Sequence, residues 1–89
     1  MKVNTDFIFR QVADEYLLVP VGDAALNIKG LIAMSESGGL LYRRLQEGCD
    51  RDDLIQTLLA EYNVSAEQAG RDVDEFVAHM RRLGILLED

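Results

Sequence analysis

The spacing of apolar residues changes character along the chain. Phe7-Ile8-Phe9-Arg10-Gln11-Val12 and Tyr16-Leu17-Leu18-Val19-Pro20-Val21 are dense in aromatic and β-branched types, with Asp14-Glu15 between them. Such runs separated by polar residues predict a hairpin. Pro20 has no N–H for a ladder, which confines it to an edge, a strand end or a bulge. Gly22-Asp23 supplies the next turn. From Ala24 to Met34 the pattern alternates, with Leu26, Ile28, Ile32 and Met34 facing inward and Ala25, Asn27, Lys29, Leu31 and Ala33 outward, and this predicts a third strand. Gly30 falls on the inward set, which points to a bulge or a close backbone approach. Beyond Gly30 two registers stay open, one presenting Leu31 and Ala33 to a neighbour, the other Ile32 and Met34.

After Met34 the apolar residues recur at helical spacing, and three helices are expected. Ser35 is placed to cap the first, which carries Leu41 and Leu45 on one face, flanked by Leu40 and Tyr42, and stops at Gly48. Gly38 and Gly39 each cost its first turn roughly 1 kcal/mol relative to alanine, so close packing against the sheet is the expected reason for them. Asp50 caps the second helix, Asp52 and Asp53 suit its N-terminal dipole, Leu54, Ile55, Leu58, Leu59 and Tyr62 form its apolar face, and Asn63 is the expected left-handed stop. Ser65 and Gln68 have the spacing of a capping box at the start of the third. Its stripe is Ala69, Val73, Phe76, Val77, Met80 and Leu83, Arg81 and Arg82 suit its C-terminal end, and Gly84 ends it, leaving Ile85-Leu86-Leu87 to fold back. Strands first and helices afterwards make an α+β domain.

Composition narrows the class. Eighty-nine residues, 48% hydrophobic and 28% charged, fit one globular domain over residues 1–89 with one modest core. No signal peptide is legible after Met1, no run is long enough to cross a bilayer, and a single cysteine, Cys49, fits a reducing compartment, so a cytoplasmic protein is expected. Nine Lys plus Arg against sixteen Asp plus Glu leave a formal charge of -7, which disfavours nucleic acid and anionic membrane as partners.

Catalytic chemistry is sparse. One His and one Cys at unrelated positions offer no metal-ligand spacing, and no cofactor motif is present. Cys49 with His79 as a nucleophilic pair is formally open, but Cys49 follows Gly48 in an interhelical loop and His79 lies beside the apolar stripe, where a surface histidine is the plainer reading. Asp52-Asp53 and Asp74-Glu75 are neighbours in sequence and point about 100° apart on a helix, so they make no acid–base dyad. A winged-helix DNA reader would open its recognition helix with Glu67, Gln68, Arg71, Asp72, Asp74 and Glu75, which sets four carboxylates against one guanidinium.

The residues Tyr16-Leu17-Leu18-Val19-Pro20-Val21-Gly22, Leu26-Asn27-Ile28-Lys29-Gly30-Leu31-Ile32, Ser35-Glu36-Ser37-Gly38 with Leu41, Tyr42 and Leu45, Glu61-Tyr62-Asn63-Val64, and Asp72-Val73 with Phe76, Leu83, Gly84, Ile85 and Leu86 resemble, in order, the PqqD family of peptide-binding proteins. Ser35 stands where that family often has Asn and Tyr42 where it often has Trp; both keep the chemistry of cap and aromatic core. The resemblance implies a winged-helix-like three-stranded antiparallel sheet followed by three helices, and a recognition element for ribosomally made, modified peptides. It implies no cofactor and no catalysis. The leader segment of a precursor peptide would pair as an extra strand with the third strand, beside a wall from the third helix. It would then be presented to a maturation enzyme, often a radical S-adenosylmethionine enzyme, with pyrroloquinoline quinone biosynthesis as one setting.

Between Ala24 and Met34 only Lys29 is charged and no proline occurs, so that edge lacks the usual protection against strand addition. The expected peptide contacts are Ala25, Asn27, Ile28, Lys29, Leu31, Ile32 and Ala33 from the strand and Val73, Val77, Met80 and Arg81 from the helix. Val73 and Met80 read first as core, because a helix stripe usually packs inward; Val77 and Arg81, on its flank, are the better candidates, and Arg81 could meet an acidic leader residue. The runner-up is a structural interaction module, such as a homodimer that covers its own free edge.

Overall fold

The computed structural model describes residues 1–87. In chain order the elements are β1 (Lys2–Val3), β2 (Phe7–Val12), β3 (Glu15–Pro20), α1 (Ala24–Asn27), β4 (Ile32–Met34), α2 (Glu36–Gln46), α3 (Arg51–Glu61), α4 (Ala66–Arg82) and β5 (Leu86–Leu87). β2, β3 and β4 form an antiparallel sheet in that order, and β1 pairs with β5 in a second, two-stranded one. The expected α+β architecture, a three-stranded antiparallel sheet followed by three helices, is what the chain adopts.

The hairpin turns at Ala13, whose φ of 54° is left-handed, with Val12 opposite Glu15 and Phe7 opposite Pro20. Paired residues share a face, so Phe7, Phe9, Tyr16 and Leu18 look towards the helices while Ile8, Arg10, Leu17 and Val19 look away. Phe7 and Leu18 join Leu41, Tyr42, Leu45, Leu54, Leu58, Val73, Met80 and Ile85 in the core. Phe9 stacks on Tyr16 and Tyr42 at ring-centroid distances of 5.8 and 5.3 Å, so Tyr42 fills the aromatic core position. Gly39 packs directly on the sheet: a Cβ there would lie 2.6 Å from Cδ1 of Tyr16.

Ser35 caps α2 by accepting from the Gly38 N–H at 3.1 Å. Two helix-end expectations are corrected. The reciprocal capping box belongs to α3, where Asp50 and Asp53 each accept the other's backbone N–H at 3.0 Å. At α4, Ser65 accepts from Gln68 N–H, but the Gln68 carboxamide turns to Arg71 and Asp72. Asn63 is not left-handed; α3 stops because Tyr62 is already extended, at φ -128° and ψ 150°. At the far end, Asn4 ties the start of the chain to the end of α4, its N–H donating to Ile85 O at 2.8 Å and its amide to Gly84 O at 3.0 Å.

The expected strand from Ala24 to Met34 is also corrected. Ala24–Asn27 is a single helical turn, closed by the Ile28 N–H on Ala24 O at 2.9 Å, and only Ile32–Met34 is strand. Leu26, expected inward, is 78% exposed. Two residues explain the short ladder. The Val21 N–H donates to Asp6 O on the β2 side, so by strand alternation the amide of Pro20 would point towards β4. Continuing the β4 register would set Gly30 against Pro20, which has no N–H to offer. Gly30 itself bends away at φ 91°, a conformation that favours glycine, with nothing near its missing side chain and no bulge.

Candidate functional site

β4 is an edge strand, paired with β3 through Tyr16↔Met34, Leu17↔Ala33 and Leu18↔Ile32 and with no described strand on its other side. The same alternation decides which backbone groups are free. Tyr16 and Leu18 direct their amides and carbonyls at β4, so Met34 and Ile32 face them in hydrogen-bonding pairs. The N–H and C=O of Ala33 therefore point to the open side. The side chains sort as the inward/outward alternation anticipated over this stretch: Ile32 and Met34 are half-buried against the core, while Ala33 and Leu31 are exposed, Leu31 at 59%.

α4 runs past this edge with two distinct faces. Ala69, Val73, Val77 and Met80 are buried, so Val73, Val77 and Met80 stand in the core and do not form a wall that a guest could touch. The face beside them carries Asp72, Glu75, Phe76, His79 and Arg82, at the i, i+3, i+4, i+7 spacing of one helical stripe, and it lines a cavity of about 720 Å³. Ser35, the cap of α2, Gly38 and Leu41 within it, Leu58 of α3 and Tyr62 just after it also line that cavity. Gly38 stands in its wall, where a Cβ would lie 3.3 Å from Ser35 Oγ and in ordinary contact with Met34 Cβ at 3.6 Å and Phe76 Cε1 at 4.0 Å. Tyr62 donates its hydroxyl to Glu36 at 3.3 Å across the mouth, and desolvation together with the Glu36 charge pushes that hydroxyl's pKa up.

A second cavity, of about 360 Å³, lies before β4 and is lined by Phe7, Ala24, Asn27, Ile28, Leu83 and, again, Arg82. Asn27 and Ile28 thus belong to the site region although they are not strand. Ala25, Lys29 and Arg81 are exposed and line neither cavity, whereas Arg82, next to Arg81, lines both. Phe76, His79 and Arg82 line the larger cavity in place of the buried stripe expected as its wall. The signal was present in the third-residue spacing from Phe76 to Arg82, one face over.

Cys49 sits in the loop between α2 and α3, half-buried, and burial pushes its thiol pKa up, away from the reactive thiolate. Among the described residues no group of His, Cys, Asp and Glu could hold a metal, and no helix is long and apolar enough to cross a membrane.

The model of the family described as coenzyme PQQ synthesis protein D (PqqD) matches residues 11–86. The chain belongs to the PqqD family. No curated protein matches it significantly. Two solved structures share its fold: TbiB1 in complex with the TbiA(β) leader peptide, at a TM-score of 0.82 and 21% identity over 100% of both chains, and lasso peptide synthetase B1 complexed with the leader peptide, at 0.81 and 22% over 98% of this chain and 96% of the other. At such identity the likeness fixes the PqqD-like fold, with no residue of the site carried across.

Proposed function

We propose that this PqqD-family chain is a non-catalytic binding domain that takes the leader segment of a ribosomally made precursor peptide as an added strand on β4 and holds it for a separate modifying enzyme. The observation that carries the reading is the Ala33 edge. Its amide and carbonyl point outward from an edge strand, the neighbouring Met34 and Phe76 of α4 both approach Gly38, and both structural relatives are complexes with leader peptides. Backbone pairing at Leu31 and Ala33 supplies affinity and the two cavities read side chains. Ile32 contributes its half-buried side chain on the core side of the strand, and Asn27 and Ile28 meet the guest before the strand begins.

The modifying enzyme does the chemistry and this domain has a positioning role, as the family resemblance implies; the raised Cys49 thiol fits that division of labour. A radical S-adenosylmethionine enzyme is the partner that the family resemblance implies, and the single cysteine fits a cytoplasmic setting. Holding peptide and enzyme together turns a bimolecular encounter into a local one. On α4 the only cation in its first two turns, Arg71, is engaged by Glu67 at 3.5 Å and by Gln68, which leaves an acidic face where a DNA reader would need a basic one.

The reading predicts a short precursor-peptide gene and a maturase gene beside this one, and the test uses the leader of that precursor. Amide resonances of Leu31 to Met34 and of Phe76, His79 and Arg82 should shift on titration. Ala33→Pro removes an outward-facing N–H, a change an edge strand tolerates. That variant should stay folded and lose binding; a folded Ala33→Pro protein that binds as well as wild type would sink the strand-addition reading.

A further inference from the structure

We infer that Arg82 reads a carboxylate on the bound peptide, so that the leader carries Asp or Glu where it passes between the two cavities. This rests on the leader-peptide reading above and adds the chemistry of one recognised position. Arg82 is the residue that lines both cavities, on the same stripe as Phe76 and His79. A guest that filled both cavities would lie against it.

Arg82 is also held in reserve. Arg51 grips Asp74 at 2.7 Å, Arg44 meets Glu47 at 3.2 Å, and Arg71 meets Glu67 at 3.5 Å. Arg82 makes no ion pair among the described residues. The positions three and four residues before it, from which a carboxylate could reach it along the helix, are His79 and Ala78. The carboxylates lining the cavities, Asp72 and Glu75 on one side and Asp6 and Asp23 on the other, stay outside ion-pair distance of it. On a chain of net charge -7 an acidic peptide is repelled almost everywhere, so one unpaired guanidinium between two cavities fixes where its carboxylate settles. The helix dipole would be satisfied by any cation in the last turn, and Arg81 already provides one. The dipole does not account for a cation that borders both cavities.

Random linear peptides displayed on phage are selected on the wild-type protein and on Arg82→Glu. Wild type should enrich Asp or Glu at one fixed position relative to the apolar anchors, and Arg82→Glu should enrich Lys or Arg there. The same acidic preference on both proteins, or no preference on wild type, overturns the inference. Failure of wild type to enrich any peptide overturns the leader-binding reading and this inference with it. For one selected peptide, replacing its carboxylate by the amide should weaken binding to wild type about fivefold and leave binding to Arg82→Gln nearly unchanged. Equal losses on the two proteins would refute the pairing. Arg82 is exposed, so Arg82→Gln should keep the wild-type melting temperature, and Arg81→Gln should bind like wild type.

Discussion

The ring of Tyr16 occupies the space that a side chain at position 39 would need: a methyl group on Gly39 would meet Cδ1 at 2.6 Å and Cδ2 at 2.8 Å. α2 therefore lies closer to β3 than any larger residue permits. Gly39→Ala gains about 1 kcal/mol of helix propensity. It also forces a steric shift that costs about 1–3 kcal/mol in a packed interior. The overlap involves three ring atoms, so the loss should win, and denaturant melts should show net destabilisation. Combining Gly39→Ala with Tyr16→Ala should give less than the sum of the single losses, because the second change removes the obstacle.

Arg51 and Asp74 pin α3 to α4 through a fork, Nε to Oδ1 at 2.7 Å and Nη2 to Oδ2 at 3.0 Å. The hydrogen bonds and charge of Arg51 hold the Asp74 carboxyl below its ordinary pKa. A carboxylate whose pKa is lower in the folded state favours folding above its unfolded value and loses that contribution as pH falls through the folded one. Both side chains are about half exposed, so the effect is small. Asp74→Asn should melt slightly below wild type at neutral pH, and the gap should close in acid below the folded pKa. A gap of constant size down to that pH would show that the fork contributes by packing alone.

Val77 and Phe76 are neighbours in sequence with separate duties. Val77 is 7% exposed within the core, whereas Phe76 lines the larger cavity. Val77→Ala should lower the unfolding free energy by roughly 1–2 kcal/mol while leaving leader affinity of the folded protein unchanged. Phe76→Ala should weaken leader binding by about tenfold, as expected for an aromatic anchor. Equal losses of affinity in two folded variants, measured by calorimetry, would erase the distinction between core face and cavity face.

Much of this was readable in the residues, and the exceptions share a cause. The hairpin, the caps at Ser35 and Asp50, and the α4 stripe depend on local spacing, and each appears where its residues place it. The Ala24–Asn27 turn did not, because alternation of apolar side chains says nothing about whether a partner strand can offer hydrogen bonds, and Pro20 withholds one at the point where β4 would extend. The face of α4 that lines the cavities lies one stripe over from the residues expected to contact a peptide, for a related reason. Hydrophobic periodicity finds the face that is buried, and Val73, Val77 and Met80 are that face. Phe76 and Arg82 stand out only once α2 and the end of α3 are seen to leave a space against them.

β4 is attached to its sheet by three residue pairs, fewer than any other strand of that sheet. A segment held so lightly opens more often than its neighbours. A guest strand on its outer side would turn an edge into an interior strand and raise the free energy of that opening by the guest's own binding. Occupancy would then be written into the exchange rates of the protein's own amides: those of Ile32 and Met34, which face away from the guest, should slow together with that of Ala33, which touches it.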